Sequence, residues 1–144
     1  MADTRVKISV REDANKYMTV WSSGGTPWVV CVGAIDAPNG TDWIARDIPG
    51  TNSKLLMKSG GAGGGQVVTW AAADGGHFMY TSPYTPGNEE QVVIFDGLDG
   101  GFVAINNHDR SHVMDKSQDR NQQPFVIPFR WNGGWNQQWL LRDH

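Results

Sequence analysis

Asp42-Trp43-Ile44-Ala45-Arg46-Asp47 and Gln138-Trp139-Leu140-Leu141-Arg142-Asp143 read as two copies of one closing strand, and Gln91-Val92-Val93-Ile94-Phe95-Asp96 falls between them. The aspartates at 47, 96 and 143 stand 49 and 47 positions apart. Two more columns keep nearly this spacing, one at 50 and 47 and one at 49 and 47. Pro27-Trp28-Val29-Val30 matches His77-Phe78-Met79-Tyr80 and Pro124-Phe125-Val126-Ile127, and Val6-Lys7-Ile8 matches Leu55-Leu56-Met57 and Phe102-Val103-Ala104. Such self-similarity marks a fold built from repeated supersecondary units.

Each repeat contains four short apolar runs. They lie at 6–10, 17–21, 28–33 and 42–46, then 54–58, 67–72, 77–81 and 91–95, then 101–105, 112–116, 125–130 and 138–142. Clusters of Gly, Asn, Asp, Ser and Pro separate them, as turns require. No window carries an amphipathic helical stripe. Four strands in each of three repeats (1–52, 53–100 and 101–144) describe a single all-β domain of β-trefoil type. Six strands would close a barrel and six would form capping hairpins, which removes exposed sheet edges. A threefold β-prism fits the same strand count. A propeller does not, since three blades fall below its usual number.

The 144 residues suit one domain, and 39% hydrophobic with 19% charged residues is a globular composition. A net charge of -3 gives no basic footprint for nucleic acid. No run reaches the length of a membrane span. Met1 to Arg5 lack the apolar stretch of a signal peptide, and Cys31 is a lone cysteine. A cytoplasmic or non-classically released protein is expected. Seven tryptophans exceed the ordinary needs of such a core. Trp21 and Trp70 fall in second strands and are expected in the core. Trp131 and Trp135 flank Gly133-Gly134 in a loop, where at least one ring is expected to face solvent as a platform for a ligand.

His112-Val113-Met114-Asp115, Pro124-Phe125-Val126-Ile127-Pro128 and Asn136-Gln137-Gln138-Trp139, all in the third repeat, together resemble a repeat of ricin-B-like lectins with its Gln-x-Trp signature. The resemblance implies a β-trefoil that binds galactose-type glycans or glycoproteins, acts as a haemagglutinin in defence or storage, and is not an enzyme. It implies Asp115, Asn136 and Gln137 as the sugar-site candidates, with the Asp and Asn meeting sugar hydroxyls and the Gln fixing the loop before the last strand. The family's stacking aromatic falls at Ile127, so Phe129, Trp131 or Trp135 must supply the ring. Counting back from Asp96 puts Glu90, Glu89 and Val92 where the signature has Gln, Asn and Trp, and repeat one has Thr41 and Gly40 there. Only repeat three is therefore expected to bind, and cross-linking would need another site or a homodimer.

Other segments carry less chemistry. His108 and His112 lie in a polar turn with no third metal ligand at a recognised spacing. Ser59 to Gly65 lacks the Lys of a phosphate loop and reads as a mobile turn. Cys31 reads as buried and inert. No nucleophile motif is present, and no cofactor is implied. Two further functions fit a trefoil of this size. One is a mushroom-type inhibitor of cysteine proteases, acting through a loop such as Ala34 to Gly40. The other is a scaffold for protein interaction, as in cytoskeletal cross-linkers.

Overall fold

The computed structural model describes residues 3–71 and 77–143. Its first four strands are β1 (Asp3–Val10), β2 (Asp13–Ser23), β3 (Thr26–Gly33) and β4 (Asp42–Asp47). The next are β5 (Lys54–Lys58), β6 (Val67–Thr69), β7 (Tyr80–Ser82) and β8 (Ile94–Gly97). The last are β9 (Val103–Asn106), β10 (Val113–Lys116), β11 (Val126–Phe129) and β12 (Trp139–Asp143). Each falls on one of the apolar runs, with ends shifted by a few residues.

The pairing closes a ring. β1 pairs with β4 and β12, β4 with β5, β8 with β9, and β9 with β12. β5 and β8 meet through reciprocal backbone bonds between Lys54 and Val93, at 2.8 and 2.9 Å. The other six strands form the hairpins β2–β3, β6–β7 and β10–β11. These touch one another at Trp28 and Tyr80, at Val30 and Phe125, and through the Met79 N–H to the Val126 carbonyl. The architecture is a β-trefoil. A β-prism would keep the three sheets apart.

The barrel interior shows the threefold pattern in chemical terms. Ile8, Leu56 and Ile105 are fully buried, opposite Leu141, Ala45 and Phe95. Two residues before those partners lie Trp139, Trp43 and Val93, also fully buried. The Trp43 indole N–H donates to the Met18 carbonyl at 3.0 Å, and Trp139 donates to Met114 at 3.1 Å. Repeat two has Val93 here and brings Trp70 into the same core, its N–H donating to the Val92 carbonyl at 2.9 Å. Where the hairpins converge, Trp28, Phe78 and Phe125 pack together, with centroids 4.3 to 6.3 Å apart.

This register corrects the sequence columns by one residue. Gly97, not Asp96, occupies the place of Asp47 and Asp143, and Leu56 and Ile105 align with Ile8. A periodic spacing cannot register a one-residue change in a connection, whereas the two-residue alternation of a buried strand can. Trp21 is half-buried and gives its N–H to the Asp36 carbonyl, so it is no core residue. Cys31 is buried, and burial pushes its thiol up to about 12. Gly60, Gly61, Gly64 and Gly65 of the Ser59 to Gly65 turn are exposed, yet the turn is held on one side. A side chain on Gly61, which has φ 66°, would meet the Asn39 carbonyl at 2.4 Å. The fully buried Lys58 ties this turn down through the Asn39, Ser59 and Gly60 carbonyls.

Candidate binding site around Asp115

Asp115 lies on β10 opposite Ile127 of β11, and only 3% of it is exposed. A nearly buried carboxylate needs donors to remain there. Its Oδ1 accepts from Asn136 Nδ2 and its Oδ2 from Gln137 Nε2, both at 2.9 Å. Both amides come from the short 3-10 turn Trp135–Gln137 just before β12. Burial pushes the Asp115 carboxyl up to about 6, against the pull of Gln137 and Asn136. Glu12 adds to the rise and Lys116 opposes it, and these two form an ion pair at 2.7 Å.

Asp115 forms part of the wall of an open cleft of about 440 Å³. Ile127, Phe129 and Asn136 line it as well, with Phe129 44% exposed. Asn132, Ser117, Gln118, Asp119 and Gln122 complete the lining. These five escaped sequence reasoning. Their one signal was position, since Ser117 to Asp119 directly follow β10 and Asn132 adjoins the Gly-Gly pair.

Gln137 is fully buried behind Asp115 and does not line the cleft. Its Nε2 also donates to the Arg130 carbonyl at 2.8 Å, and its Oε1 accepts from the Asn132 N–H at 2.8 Å. It therefore orients the carboxylate and the loop instead of facing a ligand. Asn136 spends its amide protons on Asp115 and on the Lys116 carbonyl, and it lines the cleft. Trp131 and Trp135 are 46% and 57% exposed, but neither lines this cleft. Trp135 instead covers the Arg11 guanidinium at 4.5 Å, with Phe102 at 4.4 Å from the same group. Of the three candidate aromatics, Phe129 alone is placed beside Asp115.

The same framework recurs in repeat two, one residue later than the sequence columns suggest. Gln91, not Glu90, holds the place of Gln137. It donates to Ser82 Oγ and the Pro83 carbonyl at 2.9 Å and accepts from the Thr85 N–H at 2.8 Å. Thr69 on β6 and Thr19 on β2 stand where β10 has Asp115. Thr69 bonds to Ser82 Oγ and Thr19 donates to the Gly40 carbonyl, both at 2.6 Å. Repeats one and two thus keep the scaffold and lack the carboxylate.

No protein-family model matches the chain, and no curated protein sequence matches it. Solved structures do. The designed threefold-symmetric protein ThreeFoil superposes with a TM-score of 0.78 at 19% identity, covering 97% of this chain and 99% of its own. The Rhizoctonia solani agglutinin gives 0.77 at 15% identity, covering 100% and 97%. A Polyporus squamosus lectin bound to the epitope Neu5Acα2-6Galβ1-4GlcNAc gives 0.77 at 14% identity, covering 99% of this chain and 50% of the lectin. At these identities the likeness establishes the β-trefoil fold.

Proposed function

We propose that this protein is a non-enzymatic carbohydrate-binding lectin whose principal site is the Asp115 cleft of repeat three. The observation that carries the reading is the Asp115 carboxylate, held by two side-chain amides at the wall of an open cleft beside the exposed Phe129 ring. Sugars need this pairing of groups. A carboxylate accepts from hydroxyls that lose water on binding, and an aromatic face takes the apolar C–H side of the ring. The Polyporus lectin, bound to its glycan epitope, puts a glycan-binding function on the same fold. The resemblance of the Asp, Asn and Gln-x-Trp residues to ricin-B-like lectins supports a galactose-type ligand. Glycoproteins are then the natural partners, and a homodimer would let a single cleft per chain cross-link them. A glycan array probed with the protein tests this reading, and no glycan retained at high protein concentration would sink it.

One observation favours a second reading. Ile35 is 94% exposed on the 3-10 turn Ala34–Asp36, a large apolar side chain at the tip of a loop. Such a residue suits the apolar subsite of a protease better than a sugar. Inhibition of papain by the protein, lost in Ile35→Asp, would support that alternative.

A further inference from the structure

A second cleft, of about 320 Å³, opens where connections from all three repeats meet. The β4–β5 connection contributes Ile48 and Ser53, the β7–β8 connection Tyr84 and Glu89, and the β9–β10 turn His108. Its size lies at the lower end of small-molecule pockets, which run from about 300 Å³ upward. It shares no lining residue with the Asp115 cleft.

The chemistry of this cleft is mixed. Tyr84 is 40% exposed, and Ile48 and Val92 extend its apolar surface. Among the described residues, neither the Tyr84 hydroxyl nor Ser53 Oγ has a hydrogen-bond partner. Glu89 Oε2 lies 3.2 Å from His108 Nε2. The cleft therefore offers an aromatic face, two hydroxyls that both donate and accept, and a carboxylate beside His108. It does not suit an anion. His108 already faces the carboxylates of Glu89 and Asp109, and the nearby Arg110 is committed to Asp96 at 2.9 Å. A neutral polyhydroxylated ring matches every one of these groups.

From this we infer that the Tyr84–Glu89–His108 cleft is a second, independent site for a neutral sugar on the same chain. The inference rests on the lectin reading and extends it, because two clefts with no lining residue in common make a single chain bivalent. Cross-linking then needs no dimer. Trp135 and Arg11 pair on the corresponding side of the repeat-three loop, so the two loops have diverged there while sharing a scaffold.

Two-dimensional amide NMR, with galactose, N-acetylgalactosamine, glucose and mannose each titrated into the millimolar range, tests the inference. Well-dispersed spectra establish that each variant is folded. In Asp115→Ala, at least one of the four sugars is expected to shift the Ser53, Tyr84, Glu89 and His108 amides. Tyr84→Ala should abolish those shifts and keep the shifts around Asp115. Shifts confined to the Asp115 cleft, or shifts at Ser53 and His108 that persist in Tyr84→Ala, would overturn the second site and leave the lectin reading standing. An absence of shifts with all four sugars in the unmutated protein would overturn both.

Discussion

Gln137 Nε2 donates to Asp115 Oδ2 at 2.9 Å, and this bond joins the last 3-10 turn to the middle of β10. It links the signature glutamine, which never reaches the cleft, to the carboxylate that does. Gln137→Ala should therefore weaken binding without removing any ligand contact. It should also cost about 1–3 kcal/mol of stability, because Asp115, the Arg130 carbonyl and the Asn132 N–H each lose a buried partner. Urea denaturation and sugar titration of the same variant measure both effects.

Sugar binding at this site should depend on acidity. The Asp115 carboxyl sits at about 6, above its usual range, chiefly through burial. Binding needs it ionised, so affinity should fall about tenfold per pH unit below that value. The effect on stability has the opposite sense. The folded state holds this proton more tightly than the unfolded chain, whose aspartate titrates near pH 4. Between those values the folded state carries more protons, so this group's contribution to stability declines as pH rises through the window. A carboxyl-detected NMR titration of Asp115 gives the value directly.

The three exposed aromatics of repeat three should separate in mutagenesis. Phe129→Ala should weaken binding at the Asp115 cleft by about two- to twelvefold, in line with a stacking contribution of about 0.5–1.5 kcal/mol. Trp131→Ala and Trp135→Ala should leave that affinity unchanged, because neither ring lines the cleft. Calorimetric titration of the three variants checks this order.

The buried tryptophans should matter for folding. Trp43 and Trp139 are fully buried and each satisfies a methionine carbonyl on the hairpin of its own repeat. Replacing either with alanine should cost about 3–5 kcal/mol. Thermal unfolding of Trp43→Ala and Trp139→Ala should show comparable losses, as their shared place in the barrel requires.

The fold was legible because barrel and cap positions must be apolar at a fixed spacing. Trp28, Phe78 and Phe125 are packed together in the structure and already align in the sequence. The site was legible only in part. Asp115, Asn136 and Gln137 could be grouped from the signature, but their division of labour depends on side-chain direction. Periodicity carries no information on that, and so it does not tell Phe129, which lines the cleft, from Trp131 and Trp135, which do not. Gln91 was missed because the repeat-two columns were anchored on Asp96, one residue short of the position that pairing assigns. The Tyr84 cleft was invisible for a different reason. It is assembled from three connections distant in sequence, and none of them carries a motif.

Titration of wild type and Asp115→Ala with the galactoside that the array retains most strongly tests the central claim most directly. The wild type should bind at the repeat-three cleft, and Asp115→Ala, folded and with unchanged barrel packing, should lose that binding by at least a hundredfold. Equal affinity in the two proteins, with amide shifts away from residues 115–136, would contradict the assignment of this cleft as the principal sugar site.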